Sequence, residues 1–223
     1  MTSLSVTFGR LEVLLTTYFR IDPDRQGTFR ARIKQLQRLN FPTGVNVGRG
    51  ARFEYEIEHV IKLIFAFELL AVGIPAKLAT DIVENGWDRI SAAIQLVVGT
   101  WSCTGEQDDI YCIVAPDLLN DASDLSDAVL VYEREFFVEA VSGDDFKPAA
   151  MLSVNVTKLM RRFYTHGDHV RLEERGVKNH IRQWKTMVPE LYGLIWANDW
   201  LKMSWARLKE HAPVDEDSDR IPF

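Results

Sequence analysis

Apolar residues recur at helical spacing through most of the first hundred positions. In 7–20, TFGRLEVLLTTYFR, Phe8, Leu11, Leu14, Leu15, Tyr18 and Phe19 form one stripe and predict a first helix, with Thr7 at its cap. Ile21-Asp22-Pro23-Asp24 reads as a turn: Pro23 sets φ, and Asp22 or Asp24 is placed to cap the next helix. Phe29, Ile33 and Leu36 then mark the core side of a second helix that begins near Arg25. Arg30, Lys34, Gln37 and Arg38 fall outside that stripe, and Arg32 and Gln35 sit on its flank. Asn40-Phe41-Pro42 ends the helix, because a residue before proline disfavours the helical region. Two short extended pieces come next, Val45–Val47 and Arg52–Tyr55. Gly48-Arg49-Gly50 between them predicts a tight hairpin with an arginine at its tip.

A third helix is predicted from near Glu56 to Val72. Its apolar positions, Ile57, Val60, Ile61, Ile64, Phe65, Phe67 and Leu69, are too many for one stripe and predict burial on most sides. Gly73-Ile74-Pro75 ends it. A fourth helix runs from Ala76 to about Glu84, Asn85-Gly86 breaks it, and Trp87–Val98 is a fifth helix or a helix running into a strand. From residue 96 the texture changes. Leu96–Trp101, Ile110–Val114, Ala128–Val141 and Ala150–Val156 are rich in Val, Ile, Tyr and Phe and are separated by Gly/Asp/Ser clusters, which predicts strands of an antiparallel sheet. Helix returns at Thr157–Tyr164 and from about Gly176 to Glu210, with a start or kink at Pro189. The expected fold is α+β. An N-terminal winged helix-turn-helix module (1–90) precedes an α+β module (91–212) with a small antiparallel sheet and Trp-rich C-terminal helices, then an acidic tail (213–223), with the boundary near 86–95.

Charge sharpens this division. The whole chain of 223 residues carries a formal −6, yet residues 1–52 hold nine Lys/Arg against three Asp/Glu, a net of +6. The remaining 17 basic and 29 acidic residues give −12. Such asymmetry points to nucleic-acid binding by the basic part. The most apolar run, Ile61–Ile74, is interrupted by Lys62 and Glu68, and the first 19 residues show no early basic cluster or cleavage site. Cys103 and Cys112 are the only cysteines, too few for a disulfide framework. A cytoplasmic protein with reduced thiols and no membrane partner is expected.

Across residues 8–83 the order of parts resembles the MerR-type winged-helix DNA-binding domain. Thr28-Phe29-Arg30 matches that family's helix opening, and Arg38-Leu39-Asn40-Phe41-Pro42 resembles the segment that closes it. Arg52-Phe53-Glu54-Tyr55 resembles the wing strand, and Leu70-Ala71-Val72-Gly73-Ile74 the bend of the following helix pair. The second helix is longer than the family's by several residues, Glu54 stands where a basic residue is common, and no long dimerisation helix with an effector module of the usual kind follows. The resemblance therefore implies DNA binding more than the metal or drug sensing of that family. It implies a sequence-specific, non-catalytic transcription regulator that binds double-stranded DNA as a homodimer. The expected DNA-contacting residues are Gln26, Thr28, Arg30, Arg32, Lys34, Gln35, Gln37 and Arg38 on the helix and Arg49 and Arg52 on the wing. A winged-helix adaptor without DNA binding and a small-molecule-binding protein are the alternatives, and a small-molecule or protein effector at the C-terminal module is allowed for.

Other chemistry is sparse. His166-Gly-Asp-His169, with His180 nearby in sequence, has metal-ligand types, but a zinc site wants four ligands and the Gly-Asp pair reads as a turn. The acidic loops around Asp108-Asp109, Asp121–Asp127 and Asp144-Asp145 lack the alternation of a calcium loop. No Walker A, no Gly-x-Gly-x-x-Gly after a strand and no Gly-x-Ser-x-Gly occurs, so no metal, cofactor or catalytic residue is expected. Trp184, Trp196, Trp200 and Trp205, with Tyr192 and Met203, are read first as a core anchor and second as a dimer or effector surface.

Overall fold

The computed structural model describes residues 4–45, 53–100, 109–114, 129–134, 137–138 and 151–184. The protein is α+β, with helices packed around two small antiparallel sheets. In chain order the elements are β1 (Ser5–Thr7), α1 (Phe8–Tyr18), a 3₁₀ turn (Pro23–Arg25), α2 (Gln26–Arg38), β2 (Glu54–Glu56) and α3 (Ile57–Ala71). They continue as α4 (Ala76–Asn85), α5 (Trp87–Thr100), β3 (Ile110–Val114), β4 (Val129–Glu133), β5 (Leu152–Asn155), α6 (Val156–Gly167), a 3₁₀ turn (Asp168–Val170) and α7 (Glu174–Arg182).

The helix stripes fold as their spacing dictates. α1 buries Leu11, Leu14, Leu15 and Tyr18, and α2 buries Phe29, Ile33 and Leu36. Thr7 stands at the N-cap of α1 without a side-chain cap bond, whereas the Asp22 carboxylate accepts from the Asp24 N–H and starts the 3₁₀ turn. α2 stops through a left-handed residue rather than through proline alone. Asn40 takes φ +58°, and the Phe41 N–H reaches back to Leu36 O at 3.0 Å. Pro42 follows through a cis peptide bond. α3 stops the same way at Gly73 (φ +93°), with the Ile74 N–H on Leu69 O at 3.1 Å.

At Gly86 the chain turns between α4 and α5. A Cβ there would sit 2.5 Å from Val129 Cγ2 and 2.8 Å from Ile82 O, so the absence of a side chain lets β4 pack on the helix corner.

Several expectations give way. β1 has no counterpart in the sequence reading, and it pairs with β2 in the register Ser5↔Glu56, Val6↔Tyr55, Thr7↔Glu54. Arg52–Tyr55 was expected to pair within a hairpin. Among the described residues the strand here is Glu54–Glu56 and its partner is β1, while Arg49, Arg52 and the hairpin turn lie outside the described residues. Leu96–Thr100 is helical rather than extended. Leu96, Val97 and Val98 are all buried, and packing overrides their β propensity. Among the described residues the strand expected over Ala128–Val141 is Val129–Glu133, with Arg134 already helical, and that expected over Ala150–Val156 is Leu152–Asn155. Asn155 ends β5 because its Oδ1 accepts from Lys158 N at 2.8 Å and caps α6. α7 begins at Glu174, two residues before the expected start, and its predicted continuation to Glu210 lies outside the described residues, as does the acidic tail.

The second sheet runs β4-β3-β5, with β3 central and both neighbours antiparallel. Cys112 at its centre faces Val131 and Val154 across the ladders and is a buried free thiol. Cys103 lies outside the described residues. One hydrophobic core runs from Val6 through Ile64, Ile94 and Phe163 to Ile181. It crosses the boundary expected near 86–95 without a gap. α5 touches β3, β4, α6 and α7, and α1 packs on α6. Polar ties reinforce the crossing. Arg162 of α6 donates to Tyr18 O at 2.6 Å, lies 4.4 Å from the Tyr18 ring centre, and pairs with Glu68 of α3 at 3.6 Å. Gln95 donates to Ile181 O and Trp184 O, each at 3.0 Å.

Candidate nucleic-acid interface

α2 carries the basic residues singled out in the sequence, and the structure sorts them by what they touch. Its core stripe docks Phe29 against Phe67 of α3 and Phe19, with ring centres at 4.8 and 6.1 Å. The stripe's opposite side is solvent. Gln26, Thr28, Arg32, Lys34, Gln35 and Arg38 are exposed, and residues 26–38 contain no Asp or Glu. Together with Arg25 just ahead of it, the helix presents positive charge without an acidic residue of its own.

Two of the expected contact residues are engaged inside the protein. Arg30 forks onto Glu12 of α1, with Nε–Oε1 at 2.8 Å and Nη2–Oε2 at 2.6 Å. That pairing holds its guanidinium to α1, so Arg30 braces the α1–α2 angle. Gln37 is half-buried, and its Nε2 donates to the Tyr55 hydroxyl of β2. Burial raises the Tyr55 phenol, so it stays protonated. Gln37 thereby ties the end of α2 to the β1–β2 ladder. Neither engagement is visible in the spacing of α2, because Glu12 and Tyr55 lie 18 positions away on either side.

Two arginines left out of the sequence-based set join the exposed surface. Arg20, in the left-handed region at φ +52° just past α1, and Arg25, at the start of α2, line a concavity of about 600 Å³ with Thr28 and Arg32. Ile21 and Phe29 are the apolar part of its lining, and Asp22 completes it. Their signal in the sequence was present but diluted: each is one arginine in a turn, and only the turn's geometry gathers them with Arg32.

The base of this region is fixed to the rest of the fold through Glu84 on α4. Its carboxylate accepts from Thr43 N at 2.8 Å and Thr43 Oγ1 at 3.0 Å, beyond the end of α2, and from the buried Lys62 of α3 at 2.9 Å. Burial alone would raise this carboxyl. The bonds from Lys62 and Thr43 outweigh it and hold the group below the usual carboxylate range. Lys62 also pairs with Glu58 at 3.0 Å and lies 4.8 Å from the Trp87 ring centre. Trp87 in turn meets Trp184, ring centres 5.7 Å apart. The remaining Trp-rich stretch to residue 205 lies outside the described residues.

The His166 and His169 rings stack 6.1 Å apart, and among the described residues no group of three or more His, Cys, Asp or Glu could hold an ion. No helix among the described residues is long and apolar enough to cross a membrane. No family model matches the chain, and neither a curated protein nor a solved structure does.

Proposed function

We propose that this protein is a sequence-specific DNA-binding transcription regulator that acts as a homodimer, with α2 as the helix that enters the major groove and a wing at residues 45–55. One observation carries the reading. α2 is held by a single apolar stripe, and its outer face offers Arg32, Lys34, Gln35 and Arg38 to solvent with no carboxylate on the helix. Arginine and lysine supply phosphate and guanine contacts and glutamine matches an adenine edge, so the surface has both the charge for affinity and the amide for base readout. The short turn from α1 to α2 and the β1–β2 ladder beside the end of α2 suit a helix-turn-helix with a wing. Arg30 and Gln37 serve here as braces, and the groove contacts fall to the exposed residues.

The test is selection of bound fragments from a random duplex pool by the full chain, followed by affinity at several salt concentrations. A recovered consensus with two half-sites, and log affinity falling linearly with log salt, is the expected result. Lys34→Ala should weaken binding to all duplexes, and Gln35→Ala should relax the consensus. Absence of any salt-dependent duplex binding would overturn the reading and favour a protein-interaction adaptor. Light scattering that finds a monomer on the two-half-site duplex would remove the homodimer.

A further inference from the structure

We infer that the concavity lined by Arg20, Arg25, Thr28 and Arg32 is a phosphate-binding cleft that seats a backbone phosphate of the duplex beside the groove. This rests on the DNA-binding reading above and adds to it a defined anchor, two of whose arginines lie off the helix.

The contrast with the neighbouring arginines carries the inference. Arg30 forks onto Glu12, Arg162 onto Glu68 and the Tyr18 carbonyl, and Arg10 donates to Val170 O. Each of these arginines finds an acceptor within the fold. Arg20, Arg25 and Arg32 do not: among the described residues none of the three has a carboxylate or carbonyl partner, and all three border the same concavity of about 600 Å³. Guanidinium forks match phosphate oxygens two at a time, so three of them bordering one hollow suit a phosphate.

One carboxylate, Asp22, also borders the hollow and accepts from the Asp24 N–H, which leaves three arginines against one acidic group in the lining. The Thr28 hydroxyl adds a neutral donor. Arg25, Thr28 and Arg32 follow one another at helical spacing, so the first two turns of α2 form one side of the hollow.

The shape selects a phosphodiester over a free ion. The hollow is much larger than one phosphate, and its lining includes the apolar Ile21 and the buried Phe29. A strand that runs past α2 offers alternating charge and sugar, which fits a lining that combines arginines with apolar Ile21. Arg32 and Thr28 belong both to the hollow and to the outer surface of α2, so a strand bordering a groove entered by α2 would pass over it. Contacts of this kind set register and orientation without reading sequence.

Arg20→Gln and Arg25→Gln test this, since both remove charge while keeping length and polarity, with Arg175→Gln on exposed α7 as a charge-matched control. Circular dichroism and thermal melting establish that each variant is folded. Affinity for the selected duplex and for an unrelated duplex is then measured against salt. The expected result is a several-fold to tenfold loss on both duplexes for each cleft variant, and a salt slope smaller by about one than the parent's. The control should keep the parental slope. Cleft variants with parental affinity and slope would overturn the cleft while the DNA-binding reading stands. A parent that binds no duplex would overturn both. A separate titration with inorganic phosphate, followed by amide chemical shifts, distinguishes the source. Millimolar phosphate that shifts residues 20–32 of the parent, combined with unchanged duplex binding by the variants, would assign the hollow to free phosphate and overturn the duplex anchor.

Discussion

α2 and α3 are helices of similar length that share one core, and they are built to opposite ends. α3 buries ten of its fifteen residues, and even Lys62 is inside. α2 buries three of thirteen. A helix wrapped on most sides must satisfy every polar group internally, which is why Lys62 gathers Glu58, Glu84 and the Trp87 ring. A helix held by one stripe has no such obligation and, Arg30 apart, leaves its charges to solvent. The difference teaches where each property resides. Stability is concentrated around α3 and its partners, and the capacity to meet an external anion is concentrated on α2.

The largest expected effect lies in α3. Phe65→Ala removes a fully buried ring and should cost about 3–5 kcal/mol in denaturant unfolding. A cost near zero would mean that α3 is not the hub. Next comes the α4–α5 corner, where Gly86→Val forces a side chain into Val129 and the Ile82 carbonyl and should cost about 1–3 kcal/mol. Glu84→Gln is expected to cost about 1–3 kcal/mol by weakening the pairing of a buried ammonium. It should also disturb the chain around Thr43, visible as amide shifts there.

Acid should then lower stability in two steps. Burial holds His59 and His166 below the ordinary histidine value of 6.5, with neighbouring His169, Arg162 and Arg20 adding to the effect at His166. Groups whose folded value is depressed contribute stability that is full above the unfolded value and is lost as pH falls through the folded one. The first loss therefore begins below pH 6.5, and a second, from Glu84, begins below its ordinary value of 4.5. The His59 Nδ1 accepts from Glu56 N at 3.2 Å at the start of α3, a bond that only neutral imidazole can make. His59→Gln should shrink the first step, measured as the slope of unfolding free energy against pH between 7 and 5, as a rough window around the histidine range. A first step that His59→Gln leaves unchanged would assign it to other groups.

The smallest effect on stability marks the other side of the comparison. Lys34→Ala on the outer surface of α2 should change unfolding free energy by no more than about 0.5 kcal/mol. The same variant should lose duplex affinity. If Lys34→Ala instead unfolds the protein, α2 is buried in an assembly and the contrast with α3 disappears.

Local pattern made much of this visible. The stripe of α2, the near-complete burial of α3, the stops at Gly73 and Gly86 and the capping carboxylate of Asp22 all arise from residues within a turn or two of one another. Strand Ile110–Val114 was legible for the same reason, since Val, Ile and Tyr crowd into five positions. The misread segments depended on distance. Leu96–Thr100 has strand-like composition, yet it continues a helix because β3, β4, α6 and α7 enclose it. Within the candidate interface, exposure of Arg32, Lys34, Gln35 and Arg38 could be read from periodicity, but the engagement of Arg30 and Gln37 could not.

By itself the sequence determined the helices of the first 95 residues, their apolar sides and the basic character of α2, because helical periodicity and turn chemistry act over a few neighbouring residues. Only the tertiary structure decided that Ser5–Thr7 is a strand. Three residues carry no periodic signal, and their partner, Glu54–Glu56, lies 49 positions away. Only the tertiary structure joined the two expected modules through one core, and only it brought Arg20, Arg25 and Arg32 to one hollow while sending Arg30 to Glu12. Which arginine finds a carboxylate depends on the angle between two helices. That angle is set by how Phe19, Phe29 and Phe67 pack, a matter of shape in three dimensions rather than of spacing along the chain.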